Sequence, residues 1–386
     1  MKQPLLSLVI PTKDRYYYLK YLIMLVDSVN FDDFEMVIQD NTCDNLEILK
    51  FLEGYQYSFV KYYHTKEQLS VKENSDLAIL HSSGEYVCFI GDDDGITRYI
   101  VDCVKWMKRN RVDALRQKNP IFYYWPDHIN NLYNLKGSLS FKVFTKSLGL
   151  VDVKCSYKQL AKKGFSDLYG VPRVYNGIVK RTTLDKIYQI GGTFYPGPSP
   201  DMANAVALCF FVEKFVIIDF PIIIAGACKM AAGGARLLKN EVGRIEDQPF
   251  LPSNIREVWD KNLPYVWASE VIWPESAIEA LEYVGRLDLK SKINYEYILA
   301  RFAIYHLSFI SQSFGCARKK MSFLFWFLII LLEVGFSYLK RYLLYKLLGR
   351  LADNVIYNNV TNICDAHQLL MDKIEDYVDE YPKEDI

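Results

Sequence analysis

The chain has 386 residues, 51% of them hydrophobic and 24% charged. That is room for about two or three domains with ordinary cores, and it excludes a disordered, collagen-like or polytopic membrane protein. The 46 basic residues are matched by 46 acidic ones, so the chain lacks the positive excess of a general nucleic-acid binder.

The first hundred residues alternate strand and helix. Leu5–Ile10 is an apolar run stopped by Pro11 and reads as a buried strand. Tyr18, Leu22, Leu25, Val26 and Val29 recur at helical spacing. A second strand runs from Phe34 to Ile38 and ends at Asp40-Asn41. Leu46–Leu52 is helical, and Phe59–Tyr63 is a third strand. Val71–Leu80 is a helix with Gly84 as its expected cap, and Tyr86–Ile90 is a fourth strand followed at once by Gly91-Asp92-Asp93-Asp94-Gly95. Such alternation implies parallel βαβ units, in which ligands bind beyond the carboxyl ends of the strands.

The next stretch is less regular. Ile121–Pro126 is an aromatic strand, Gly177–Lys180 a strand, and Thr182–Ile190 a helix ended by two glycines. Pro196-Gly197-Pro198-Ser199-Pro200-Asp201 is a stiff loop that delivers Asp201 to a helix over Met202–Glu213. Phe215–Asp219 is a strand. Gly226–Arg236 is a Gly/Ala-rich loop with Lys229 and Arg236 near its ends. Beyond 236 the pattern is helical. Met321–Leu339 carries one charge, Glu333, between Arg318-Lys319-Lys320 and Lys340-Arg341, and the tail from 351 is acidic. Nineteen helical residues reach about 28 Å, barely a bilayer core. With a buried glutamate costly there, a helix lying in the membrane surface is preferred over a span or a core helix.

The eight cysteines form no C-x-x-C pair, and several sit in apolar runs, as expected of small buried side chains in a reducing compartment. The short apolar start followed by Pro11 is not a signal peptide, so the catalytic region is expected in the cytosol. Aromatics reach 15%. They read as core and surface tyrosines, with Tyr123, Tyr124 and Trp125 the candidates for an acceptor platform.

Three adjacent carboxylates at a strand end, Asp92-Asp93-Asp94, repel one another unless a cation or donors offset them; hard oxygens suit Mg²⁺ or Mn²⁺, and a solvated acidic turn is the plainer reading. Lys13, Asp14 and Arg15 follow the first strand, either as a phosphate contact or as a surface ion pair. Asp201 reads as an N-cap or as a fixed general base. No G-x-G-x-x-G, P-loop or G-x-S-x-G is present, and the five histidines show no metal-ligand spacing.

These pieces in order resemble glycosyltransferase family 2. Leu8–Arg15 is similar to its opening "IPTYNR" segment, Val37–Asn41 to "VVVDN", Glu73-Asn74 with Gly84–Val87 to "N…GEYV", and Phe89–Asp94 to "FLDSDD". A weaker match continues through Val179–Arg181 and Ser199-Pro200-Asp201. The resemblance spans roughly residues 5–105, with Gly91 standing where many members have the first Asp of D-x-D. It implies an α/β GT-A fold, Rossmann-like, with a mixed, mostly parallel sheet flanked by helices and a C-terminal helical extension.

The implied organisation is a catalytic domain over 1–235, divided into a nucleotide-sugar half (1–105) and an acceptor half (106–235). A helical extension (236–317), a membrane-associating helix (318–350) and an acidic helical tail (351–386) follow. The resemblance also implies that Pro11, Thr12, Arg15 and Asn74 line the nucleotide sugar, that Asp40 bonds the base, usually uracil, and that Asp92 approaches the ribose. Asp93 would bind Mn²⁺ or Mg²⁺, Asp94 would share the metal or meet the sugar, and Asp201 would be the base. Lys229 and Arg236 would close over the diphosphate. The implied activity is inverting transfer of a sugar from a nucleotide-diphosphate donor to a glycan or lipid-linked hydroxyl, at the inner face of the cytoplasmic membrane. A sugar nucleotidyltransferase and a non-catalytic sugar- or lipid-binding adaptor are the alternatives.

Overall fold

The computed structural model describes residues 3–55, 57–129, 135–145, 147–230, 242–248, 251, 254–348 and 354–375. The N-terminal half runs β1 (Leu6–Thr12), α1 (Tyr16–Val29), β2 (Phe34–Asp40), α2 (Leu46–Gly54), β3 (Val60–His64), α3 (Val71–Leu80) and β4 (Tyr86–Phe89). After the acidic triplet come β5 (Gly95–Ile96), α4 (Ile100–Arg109), β6 (Ala114–Gln117) and β7 (Ile121–Tyr124). Strands β8 (Ser138–Phe141) and β9 (Leu148–Val151), helix α5 (Val153–Lys162), β10 (Ile178–Lys180) and α6 (Arg181–Gly191) lead to α7 (Pro200–Leu208), β11 (Phe215–Ile218) and β12 (Ile223–Ala227). Far downstream, β13 (Val355–Asn358) closes the strand series.

The main sheet has the order β3-β2-β1-β4-β10-β6-β11-β9. Strands β1, β2, β3 and β4 are parallel, with Thr12 level with Asp40 and Asp40 level with His64. Strand β10 enters antiparallel between β4 and β6, which makes the sheet mixed. A second sheet, β13-β8-β7-β12-β5, stands beside it. The alternating apolar runs are buried on both faces, as parallel strands under helices must be.

Several boundaries differ from the sequence expectation. β1 continues through Pro11 to Thr12. Pro11 falls where β4 has already ended, since Val9 is the last residue level with it, so the missing N–H removes no ladder bond on that side. Gly84 is not the cap of α3, which ends at His81. Its N–H donates to Ser7 Oγ at 2.7 Å, and a Cβ there would lie 2.6 Å from the Ser7 nitrogen, so glycine lets the turn press against β1. Helix α7 starts two residues early, at Pro200, a residue suited to a first helical turn, and stops at Leu208.

The C-terminal region is neither wholly helical nor detached. β13 pairs antiparallel with β8. The helix Ile363–Glu375 buries Ile363, Ala366, Leu370, Met371 and Ile374 in the same core as α1 and β4. A Cβ on Gly95, just after the acidic triplet, would lie 2.7 Å from the Ile363 side chain, so the tail braces that motif from behind.

The helix Ser269–Tyr283 packs against α7 within the core on the other face of the sheet. Ser276 Oγ accepts from the Ser199 N–H at 2.8 Å, and Gly197 lies so close that a Cβ would be 2.9 Å from the Ser276 Cα. The extension therefore fixes the loop that carries Asp201.

Helix Lys320–Leu348 is one continuous element. Phe323 and Ile330 are buried with Trp326, Phe327 and Val334 against Tyr297, Leu299, Ala300 and Ala303 of the helix Tyr295–Tyr305. The opposite face exposes Met321, Leu328, Leu332, Phe336 and Leu339.

Glu275 is fully buried on the helix Ser269–Tyr283. One oxygen accepts from the Asp260 N–H at 2.9 Å and the other has no partner. Burial pushes this carboxyl up from 4.5 to about 8. The folded state thus keeps a proton that the unfolded chain releases, and stability falls as pH rises between those values. Glu275→Gln is expected to raise Tm by several degrees at pH 8.5 and to change it little at pH 5. A lower Tm at pH 8.5 would contradict this reading.

Candidate active site

The site is built on the carboxyl ends of β1, β2 and β4. Thr12 Oγ1 donates to Asp92 Oδ2 at 2.6 Å. Asp14 adopts φ 57°, a left-handed conformation that aspartate tolerates, and its N–H donates to Thr42 Oγ1 at 2.8 Å. The chain reverses there, and the Arg15 guanidinium meets Asp92 Oδ1 at 3.0 Å and Asp93 Oδ1 at 2.7 Å. It also reaches Cys228 Sγ at 3.2 Å and lies 5.5 Å from the centre of the Tyr18 ring. Burial opposes the Arg15 charge, but the two aspartates outweigh it and hold the guanidinium protonated.

The three carboxylates have different tasks. Burial and the Asp93 charge raise Asp92, against the pull of Arg15 and Thr12. Burial and Asp93 also raise Asp94, although two backbone donors oppose them. Those donors are the N–H groups of Gly91 and Gly226, each at 2.7 Å and one to each Asp94 oxygen. Asp94 was expected to share a metal; here Oδ1 ties the motif to β12 through Gly226 and Oδ2 closes the turn on Gly91, so both oxygens already have a donor. Asp93 differs: Oδ1 meets Arg15, while Oδ2 is buried with no partner. No group of three or more His, Cys, Asp or Glu arranged to hold a metal occurs among the described residues. One free carboxylate oxygen beside a second carboxylate suits a divalent cation that takes its remaining ligands from a diphosphate and water.

Other expected residues are placed as follows. Asp40 is fully buried, and both oxygens already accept protein donors: Tyr16 and Tyr62 hydroxyls at 2.6 and 2.7 Å and the Thr42 N–H at 2.8 Å. It ties β2 to α1 and β3 and keeps no oxygen without a donor for a base. Asn74 points its amide nitrogen at the Thr12 carbonyl at 3.5 Å and leaves Oδ1 unpartnered. Pro11 lies beside it on β1. Trp125 corrects the acceptor-platform expectation. It is buried among Tyr17, Tyr18, Tyr21 and Tyr123, and its indole N–H donates to the Asp93 carbonyl at 2.9 Å. Tyr123 is likewise buried, while Tyr124 is half-buried beside His128. Lys229 is exposed next to Cys228 at the rim of the Arg15 cluster. Arg236 lies outside the described residues.

Asp201 stands in the first turn of α7 and is not the N-cap, a position held by Ser199. It keeps some solvent contact in a crowded cleft, where burial raises its carboxyl and Arg173 opposes the rise. The segment Arg173–Asn176 was not singled out by sequence. It is laid along the end of β4: the Phe89 N–H donates to the Val174 carbonyl at 3.2 Å, and the Asn176 N–H donates to the Phe89 carbonyl at 2.9 Å. The Tyr175 hydroxyl holds its proton against the charge of Asp94 first, then burial, then Asp201. Tyr175 therefore feels both halves of the cleft. The readable signal was Asn176-Gly177, a turn dipeptide beside a strand.

Gly226 is the tightest contact of the site. A Cβ there would lie 1.8 Å from the Asp93 carbonyl oxygen and 2.4 Å from its carbon. No rotamer relieves a clash with backbone. Gly226→Ala is expected to lose about 1–3 kcal/mol of stability in a denaturant titration and to abolish binding at the Arg15–Asp93 cluster. Unchanged stability would show that β12 does not hold the motif.

Residues 7–156 match the model of glycosyl transferase family 2. No curated protein matches the chain. Among solved structures it is similar to S. aureus TarS 1–349 in complex with UDP-GlcNAc, at 17% identity and a TM-score of 0.46, covering 83% of this chain and 78% of that one. It is similar to the same TarS fragment in complex with UDP at 16% identity and 0.45, covering 81% and 75%. It is also similar to the mannosyltransferase PcManGT from Pyrobaculum calidifontis in complex with GDP-Man and Mn²⁺, at 13% and 0.39, covering 86% and 88%. Likeness at these scores reflects general shape, and the weight rests on the family match and the strand-end motif inside it. On that ground residues 7–156 form a glycosyl transferase family 2 domain on a GT-A-like mixed α/β sheet.

Proposed function

We propose that the chain is an inverting glycosyltransferase that moves a sugar from a nucleotide-diphosphate donor, with UDP-sugars first, to a hydroxyl of a glycan or lipid-linked acceptor. The observation that carries this reading is where unsatisfied polar atoms gather. Among the described residues, fifteen buried side-chain nitrogen or oxygen atoms lack a hydrogen-bond partner. Four of them belong to Arg15, Asn74, Asp92 and Asp93, grouped at the carboxyl ends of β1 and β4. Buried polar atoms are normally paired, so a concentration of unpaired ones marks a place prepared for a ligand.

In this reading Arg15 binds the donor diphosphate and Asp93, with Asp92 beside it, holds Mn²⁺ or Mg²⁺. The cation supplies Lewis-acid neutralisation of charge on the leaving diphosphate. Thr12 and Arg15 keep the two aspartates in place. Asp201 accepts the proton from the acceptor hydroxyl as the new bond to the sugar's anomeric carbon forms and the bond to the diphosphate breaks. Burial raises the Asp201 carboxyl, the direction a general base requires. One displacement inverts the anomeric centre and needs no carboxylate nucleophile.

The helix Lys320–Leu348 extends the proposal to a membrane. Its 21-residue stretch Lys320–Lys340 has a mean hydropathy of 2.0 and is mostly exposed. Basic residues flank it, including Arg318, Lys319, Lys320 and Lys340. One apolar face is already taken by the helix Tyr295–Tyr305, so the other lies on an anionic lipid surface rather than the whole helix spanning it. In this reading the enzyme sits at the cytoplasmic face of its membrane, where a lipid-linked acceptor would be displayed.

Three outcomes are expected. Asp93→Asn should abolish metal-dependent turnover of UDP-sugars, and retained turnover would overturn the donor-site assignment. Asp201→Asn should lower kcat roughly 10²–10⁴-fold with donor binding intact; a change in KM alone would deny it the role of base. Replacing Leu328, Leu332 and Phe336 together by Glu should stop the full-length chain from floating with phosphatidylglycerol vesicles, while equal flotation would remove the membrane claim. Truncation is the wrong test here, because residues 355–375 belong to the catalytic core.

A further inference from the structure

Two arginines beside the cleft have no anion. Arg116, at the carboxyl end of β6, is only 5% exposed. Its Nη1 donates to the Leu168 carbonyl at 2.5 Å, its face lies 5.2 Å from the centre of the exposed Tyr169 ring, and its Nε is buried without a partner. Arg173 is half-buried, and its Nε is likewise buried without a partner. Among the described residues, no carboxylate lies within ion-pair distance of either guanidinium. The turn that follows Arg173 runs against β6: a Cβ on Gly177 would lie 2.3 Å from the Arg173 carbonyl oxygen and 3.4 Å from that of Leu115. Burial first, then the neighbouring Arg173, pull Arg116 down to about 10, with Tyr169 and Asp167 opposing through space.

Neighbouring buried cations are costly to fold around unless something anionic completes them. Asp201 offsets Arg173 only through space, with no hydrogen bond between them. The donor diphosphate belongs elsewhere, at Arg15 and Asp93. Strand β10 separates β4 from β6, so Arg116 lies about 10 Å across the sheet from the strand that leads into the metal motif. That is on the side where Asp201 meets the acceptor. Two rigid guanidinium forks match the oxygens of a phosphate better than those of any neutral group.

We propose that Arg116 and Arg173 form an anion site that binds a phosphate group carried by the acceptor, next to the hydroxyl that receives the sugar. The inference rests on the glycosyltransferase reading for the word acceptor, but the anion site itself stands on the unpaired arginines. A phosphorylated polyol or glycan and a lipid phosphate headgroup present the same chemistry here.

The test compares glycerol 3-phosphate with glycerol at matched ionic strength on the full-length protein, by calorimetric titration and thermal shift. Glycerol 3-phosphate is expected to bind at least tenfold more tightly and to raise Tm. Arg116→Gln and Arg173→Gln should each lose that preference by tenfold or more, with UDP-sugar affinity in Mn²⁺ within twofold of wild type in Arg116→Gln. Arg173→Lys, which keeps the charge but loses the fork, should fall between. A preference for phosphatidic acid vesicles over glycerol 3-phosphate, lost in the same variants, supports the site and assigns it to a lipid headgroup. Equal binding of glycerol and glycerol 3-phosphate to the wild type, with no vesicle preference, overturns the proposal whether or not the variants fold. So does a phosphate preference that survives in both glutamine variants. Loss of UDP-sugar binding in the wild type with the phosphate preference intact would sink the glycosyltransferase reading and leave the anion site.

Discussion

Three successive carboxylates buried at the end of a strand repel one another, and the rest of the site follows from how that repulsion is relieved. Arg15 comes back from the β1 turn to meet two of them. The third is removed from the competition by two backbone N–H groups, one of them on β12. The arrangement leaves one Asp93 oxygen with nothing to bind. That oxygen is what a cation would seek, since the others of the triplet already face Arg15, Thr12 or a backbone N–H. Charge neutrality is reached locally and incompletely, which is the state expected of a site completed by a substrate.

The remoter parts of the chain serve the same end. Trp125 and Gly226 clamp the Asp93 carbonyl from two sides, one by a hydrogen bond and the other by having no side chain. Ile363 of the tail presses on Gly95 behind the motif. Ser276 of the helical extension holds Ser199, so the start of α7 cannot drift. A carboxylate that must meet an acceptor hydroxyl to within a few tenths of an ångström needs such support. The extension therefore holds the start of α7 in place, and in the proposed reading its outer helix also faces lipid.

Much of the nucleotide half was legible in sequence because buried parallel strands are continuous apolar runs, and Ile10, Ile38 and Ile90 are each followed closely by polar residues. The acidic triplet was visible for the same reason. What each carboxylate does was not, since Asp93 and Asp94 differ only in where backbone donors from residues 91 and 226 fall. Aromatic residues misled: Trp125 looks like a platform in a row of tyrosines, yet its alternation along β7 puts it inside. The Arg116–Arg173 pair was hidden by 56 intervening positions, and the antiparallel entry of β10 beside β6 brings the two together. The strand Val355–Asn358 was concealed by its polar flanks within an acidic segment.

The account turns on the unpaired Asp93 oxygen acting with a nucleotide diphosphate. The most direct measurement is a titration of Mn²⁺ into the full-length protein with and without saturating UDP, followed by the paramagnetic resonance of free Mn²⁺. The account predicts weak binding to the protein alone, at least tenfold tighter binding once UDP is present, and loss of that gain in Asp93→Asn. Mn²⁺ binding that is indifferent to UDP, or unchanged in Asp93→Asn, would contradict it.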